Sequence, residues 1–201
     1  MPPITTMLLI RHGETLWNIA RRYQGHGDSE LSEHGIAQTE ALAALMQSRN
    51  FTHLYASDLG RTQQTAAAIA RRTGHAIISE PRLRERNYGI FEGLTGTEIE
   101  TRHPDIYHEY KTRRPDFIIP GGESVDQFVG RVTACFEELR QRHAQTNIAV
   151  ITHGGVINRF LRSIAGIDQQ IPRPFIIKNA AINIFIHDGQ RWRLDTLGLE
   201  P

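Results

Sequence analysis

Two apolar stretches of this 201-residue chain end in the same pair, histidine then glycine. The first reads Leu9-Ile10-Arg11-His12-Gly13-Glu14-Thr15, the second Val150-Ile151-Thr152-His153-Gly154-Gly155. A buried strand, then His-Gly, then a helix puts an imidazole at the carboxyl end of the strand, beside the N–H groups of a helix start. Those groups favour anions, and glycine lets the backbone turn sharply and come close to a ligand. One such histidine reads first as a hydrogen-bonded structural residue. The repetition at the ends of two strands points to one shared site.

Of the 23 basic residues only Lys111 and Lys178 are lysine; the other 21 are arginine. Arginine is the better bidentate partner for phosphate and carboxylate, although compositional bias accounts for most of these. Two are placed differently. Arg11 directly precedes His12. Arg61 lies in Ser57-Asp58-Leu59-Gly60-Arg61-Thr62, just after another apolar stretch, where it can reach the same sheet edge. A cation in a first helical turn is unfavourable unless an anion is present. Two guanidinium groups and two imidazoles converging on one point form a cationic cage for a dianionic phosphoryl group.

The elements that would position these residues alternate. Met7–Arg11, His53–Ser57, Ala76–Ser79 and Ile148–Thr152 are short apolar runs that predict buried strands. Helices are predicted after Ser32, over Leu59–Thr73 ending at Gly74, over about Val125–His143, and over Gly154–Ala165. Ala181–Ile186 and Arg191–Leu197 flank Asp188-Gly189 and read as a hairpin. The expected fold is a three-layer α/β/α sandwich with a mostly parallel sheet and an antiparallel edge strand. Residues 1–201 read as one domain, with an insertion at about 86–120 over the carboxyl ends of the strands, where ligands of such sheets bind. That insertion is rich in aromatics and charge and holds Pro104, Pro115 and Pro120.

Composition narrows the function classes. The formal charge is +1 and hydrophobic residues make up 39%. That balance argues against a nucleic-acid or anionic-membrane binder and fits a globular chain long enough to bury its own core. Cys135 is the only cysteine, in an apolar helical context that suits a buried, inert thiol. The apolar N-terminal run is too short for a signal core or a membrane span, which predicts a cytoplasmic protein.

The ordered motifs resemble the histidine phosphatase superfamily, the phosphoglycerate-mutase-like proteins. Arg11-His12-Gly13-Glu14-Thr15, with Trp17 and Asn18, resembles the opening motif of that family. Ser57–Thr65, then Leu83-Arg84-Glu85-Arg86-Asn87-Tyr88-Gly89, then Thr152–Gly155 resemble its later motifs, in order. Pro120-Gly121-Gly122-Glu123-Ser124 is also similar to a family segment. The resemblance implies His12 as the nucleophile and Arg11, Arg61 and His153 as ligands of the phosphoryl oxygens. It implies Glu85 as general acid and then base, with Gly154 N–H as a further donor. Asn18, Thr15, Gln24 and Gly25 match substrate-pocket positions. On spacing alone Glu85 is a solvated residue among Arg82, Arg84 and Arg86; the resemblance assigns its role. The chemistry needs no metal and no cofactor, because a neutral histidine is a competent nucleophile and the cations carry the transferred charge.

The family divides into phosphatases and mutases. Gly155 stands where mutases carry a polar residue, and Thr95-Gly96 lies close to where mutases place a substrate-binding lysine. These features favour a phosphomonoester hydrolase, with a cofactor-dependent phosphoglycerate mutase as the alternative. Tyr88, Arg113 and Arg114 are expected to face the substrate, which would then carry a second anionic group. Other aromatics of the insertion are expected to pack it onto the core. The remaining histidines (His26, His34, His53, His75, His103, His108, His143, His187) are expected at surfaces and turns. The expected partner is a small phosphorylated metabolite, with a homodimer implied by the family.

Overall fold

The computed structural model describes residues 4–172 and 175–201. Six strands form one sheet in the order β3-β2-β4-β1-β5-β6. They are β1 (Thr5–Arg11), β2 (His53–Ala56), β3 (Ile77–Ser79), β4 (Asn147–Thr152), β5 (Ile182–His187) and β6 (Trp192–Leu199). The first four run parallel. The hairpin stands at one edge as expected. The strand that opposes the others is β5, one in from that edge, and β6 is outermost. The hairpin turn forms because Asp188 Oδ1 accepts from Gln190 and Arg191 N–H at 3.0 and 2.9 Å, while Gly189 takes φ 91°.

The continuous apolar runs of β1 and β4 follow from burial on both faces. Alternate residues point to opposite sides. Met7, Leu9, Ile148 and Val150 join Phe128, Phe136 and Phe160 on one side. Leu8, Ile10, Ala149 and Ile151 join Leu42, Met46 and Ile69 on the other. Helices α6 (Val125–Arg142) and α7 (Gly154–Ala165) cover the first side. Helices α2 (Glu33–Gln47) and α3 (Gly60–Thr73) cover the second. The result is the expected three-layer sandwich. Ser32 caps α2 through its side chain. A reciprocal Ser124–Gln127 capping box starts α6, and Gly74 ends α3 in the left-handed region at φ 76°.

Three helices were not read from the sequence. Helix α1 (Leu16–Ile19) is a single turn. Helices α4 (Gly96–Arg102) and α5 (Pro104–Lys111) lie within residues 86–120 and are too short to show a clear apolar period. This segment has its own small core of Phe91, Ile99 and Ile119, with Tyr107 and Tyr110 packed against it. An ion pair between Arg22 and Glu98 at 2.6 Å ties it to the loop after α1. Among the described residues no helix is long and apolar enough to cross a membrane.

Leu9 is fully buried at the centre of β1. Leu9→Ala is expected to lower the urea-unfolding free energy by about 2–5 kcal/mol through lost burial and a residual cavity. A change near zero would show that this side of the sheet is loosely packed.

Candidate active site

The parallel register pairs Arg11 with Thr152, so both His-Gly steps leave the sheet at the same level. His12 N–H extends the ladder by donating to Thr152 O at 3.0 Å. The His12 and His153 rings therefore meet edge to face, with centroids 5.3 Å apart. His12 Nδ1 lies 2.7 Å from Gly13 O. A carbonyl only accepts, so Nδ1 carries the proton and Nε2 carries the lone pair. Burial, then the Arg61 and Arg11 charges, hold the His12 ring well below the ordinary histidine range. It is neutral at physiological pH.

His153 is fully buried behind this ring. Its Nε2 lies 3.0 Å from Ser57 Oγ, which accepts from Leu59 N–H. Ser57 and His153 Nε2 share this hydrogen bond. The buried His153 Nδ1 has no partner. Burial and then Arg61 hold this ring well below its usual value as well.

An open cleft of about 280 Å³ lies against His12, lined by Arg11, Arg61, Glu85, Asn18, Gln24, Gly25, Tyr88 and Gly154 among others. Arg11 ends β1 and donates to Ile177 O at 2.6 Å. Arg61 sits in the first turn of α3 and is 1% exposed. It donates to Gly25 O at 2.7 Å and to Gly27 O at 2.8 Å, and pairs with Asp28 at 3.3 Å. Burial is the largest influence on this guanidinium and lowers it from its usual value, but an arginine stays charged. Its Nε, buried and without a partner, is the donor left over. Gly25 has φ 55°, and a Cβ there would stand 2.0 Å from Glu92 Oε1.

Asn18 Oδ1 accepts from Thr15 N–H at 3.1 Å and from Asn179 Nδ2 at 3.2 Å. Its own amide N–H groups are thereby left to the cleft. Thr15 itself departs from expectation. It is fully buried, caps α1 by accepting from Asn18 N–H, and does not line the cleft. Helix initiation claimed the hydroxyl that the motif suggested for substrate.

Glu85 reaches the cleft from the loop after β3. Its Oε2 accepts from Gly155 N–H at 2.8 Å, at the start of α7, and its Oε1 from Arg86 N–H at 2.9 Å. A Cβ at position 155 would lie 2.0 Å from Glu85 Oε1, so a side chain there would displace this carboxyl. Arg131 of α6 holds the segment by donating to Arg82 O, Arg84 O and Glu85 O at 2.8, 2.9 and 3.3 Å.

Several residues that the sequence reading passed over complete the site. Glu92 accepts from the N–H groups of His26, Gly27 and Tyr88 at 2.8–2.9 Å and so fixes the loop that Arg61 clamps. Asn179 also donates to His12 O at 3.0 Å. Trp17, Arg21, Arg22 and Tyr23 line the cleft. Trp17 stood beside Asn18 in the opening motif; nothing local marked Arg21, Arg22, Tyr23, Glu92 or Asn179. Arg113 and Arg114 do not line this cleft. They border an adjoining cavity, and Arg114 is matched by Glu109 and Asp116 at 3.0 and 2.9 Å. His26 and His143 lie in turns as expected, whereas His187 ends β5. His26 Nε2 lies 3.1 Å from Glu85 O, while His143 and His187 are each 7% exposed. His143 bonds Tyr55 Oη at 2.7 Å. Cys135 is buried as expected, and burial pushes its thiol up to about 12.

The two neutral histidines link stability to pH. Unfolded histidine titrates near ~6.5, whereas His12 and His153 titrate lower in the fold. Below that pH the unfolded chain takes up protons that the native chain refuses, so stability falls as pH falls. Urea unfolding should give a free energy lower at pH 5.5 than at pH 7.5 by more than about 1 kcal/mol. His153→Gln should reduce that drop; an unchanged drop would contradict the assignment.

Comparison with known proteins identifies the family. The family model of the histidine phosphatase superfamily (branch 1) matches residues 7–200. A phosphoglycerate mutase-like protein of Arabidopsis thaliana is 34% identical over 196 residues, covering 96% of this chain and 84% of that protein. The alpha-ribazole phosphatase of Shigella flexneri superposes with a TM-score of 0.87 at 25% identity, with 96% of each chain covered. A mycobacterial glucosyl-3-phosphoglycerate phosphatase, solved with vanadate, gives 0.81 at 28% identity over 98% of this chain and all of that one. The chain belongs to the histidine phosphatase superfamily and is an enzyme of the phosphatase and phosphoglycerate-mutase-like type.

Proposed function

We propose that this chain is a metal-independent phosphomonoester hydrolase acting on a small phosphorylated metabolite through a phosphohistidine on His12. One observation carries the reading. His12 Nδ1 is tied to Gly13 O, so the lone pair sits on Nε2, and the ring borders a cleft walled by Arg11 and Arg61. A neutral imidazole with a fixed tautomer attacks phosphorus. Arg11, Arg61 Nε and His153 hold the three oxygens that share the developing charge. The bond to the leaving oxygen breaks as Glu85 delivers a proton to it. Water then attacks the phosphohistidine while Glu85 takes the proton back, and orthophosphate leaves with His12 restored.

The names of the relatives support both branches of the family. The Arabidopsis likeness keeps phosphoglycerate mutase as a second reading, by the same phosphohistidine chemistry. Of the three residues expected to face the substrate, Tyr88 lines the catalytic cleft and Arg113 and Arg114 stand outside it. Incubation with 3-phosphoglycerate and a bisphosphoglycerate primer separates the two. Release of orthophosphate supports the hydrolase; formation of 2-phosphoglycerate without release supports the mutase.

His12→Ala should abolish metal-free turnover of phosphomonoesters, by about 10⁴-fold or more, and remove an acid-labile phosphoenzyme seen in wild type. Equal rates would sink the nucleophile assignment. Glu85→Gln should slow alkyl phosphates by about 10²-fold or more and p-nitrophenyl phosphate less, because a good leaving group needs no proton. A loss equal across leaving groups would argue against the acid role. Gly155→Ala should cut turnover while the fold melts normally, since its methyl displaces the Glu85 carboxyl; full activity would show that this contact is dispensable.

A further inference from the structure

The carboxyl that would move protons sits on irregular backbone. Residues 84–88, between two short helical turns, lie in neither helix nor strand. No ladder fixes such a segment, so its backbone groups need partners elsewhere. Arg131, in the second turn of α6, supplies several of them. All five of its guanidinium N–H groups are used. Nη1 donates to Arg82 O at 2.8 Å and to Arg84 O at 2.9 Å. Nη2 donates to Glu85 O at 3.3 Å and to Glu123 Oε1 at 2.5 Å, and Nε to Glu123 Oε2 at 3.4 Å.

Glu123 completes the grip on the other side of Glu85. Its Oε1 accepts from Asn87 N–H at 2.8 Å, and its carbonyl accepts from Arg86 Nε and Nη2 at 3.0 and 2.9 Å. Arg86 N–H is in turn the donor to Glu85 Oε1. Two further contacts hold the same segment. Glu85 O accepts from His26 Nε2 at 3.1 Å, and Leu83 O accepts from Thr152 Oγ1, at the end of β4, at 2.8 Å. Neither Arg131 nor Glu123 lines the catalytic cleft. A bidentate pair whose side chains are 22% and 16% exposed keeps its geometry better than a surface ion pair.

We infer that Arg131, held by Glu123, is the positioning residue of Glu85: it fixes where the carboxyl stands without touching substrate. The inference rests on the role given to Glu85 above. The planar fork of arginine is needed, because one group must reach the carbonyls of residues 82, 84 and 85 and a carboxylate together. Lysine keeps the charge but presents three donors at a single point. A small displacement of a proton-transfer group, made from outside the site, is enough to slow the chemical step.

A double-mutant cycle tests this. Arg131→Lys should lower kcat for an alkyl phosphate by about tenfold or more and leave KM within about twofold. On top of Glu85→Gln the same change should cost less than about twofold, because the carboxyl that it places is already gone. A loss that multiplies in full onto Glu85→Gln is the mark of a purely structural role and would overturn the inference, as would an unchanged kcat in Arg131→Lys. Glu123→Gln keeps the side-chain shape. It should show the same coupling with a smaller loss, and it reads the cycle should Arg131→Lys fail to fold. Inhibition by orthophosphate should be unchanged in both single variants; weaker inhibition would move the effect to the phosphoryl cage and overturn the inference. Arg140→Lys, on the same helix and paired with Glu137, should leave kcat unchanged. The acid role is read separately: an equal loss across leaving groups in Glu85→Gln would remove that role, while the coupling still reports the placement. The cycle is read in either turnover, release of orthophosphate or formation of 2-phosphoglycerate.

Discussion

The site depends on one register. Parallel pairing of β1 with β4 sets Arg11 opposite Thr152, and the chain turns after each strand at the same level. A shift by one residue would turn every side chain of one strand to the opposite face. Leu9 and Val150 would then leave the α6–α7 side that they help fill. The burial that stabilises the sheet is therefore the force that brings two imidazoles, 141 positions apart in the chain, to 5.3 Å between ring centroids.

Around that pair the protein keeps positive charge and withholds negative charge. Arg61 is buried and its nearest carboxylate, Asp28, is 3.3 Å away and half exposed. The same buried cations, with burial itself, keep His12 and His153 neutral. One environment thus serves two ends: it holds a nucleophile unprotonated and leaves guanidinium charge for phosphoryl oxygens. The opposite sign enters through Glu85, whose carboxyl is held on two backbone N–H groups. The near-neutral formal charge of +1 conceals this separation.

Much of the architecture was legible because it rests on local signals. Continuous apolar runs marked β1 and β4, and Ser32 and Gly74 marked helix ends that the structure places at the same residues. The gathering of His12, His153, Arg11, Arg61 and Glu85 followed from the ordered motifs. Thr15 and the Arg113-Arg114 pair stand outside the catalytic cleft. A residue type states what a side chain can do, and competition for it inside the fold settles what it does. Thr15 is used by a helix cap and Arg114 by two carboxylates.

From the sequence by itself came the kinds of chemistry available, the strand–glycine–helix steps that carry it, and the order of layers. Those properties live in stretches of a few residues, where backbone preference and apolar periodicity act directly. Tertiary structure alone decided which atom of each side chain faces the cleft. The Gly13 carbonyl selects Nε2 of His12, Asn179 and Thr15 turn the Asn18 amide, and the Gly155 N–H holds the Glu85 carboxyl. Two of these contacts, Asn179 with Asn18 and Gly155 with Glu85, join segments far apart in the chain, so their geometry exists only once the core has packed and the loops have been tied to it.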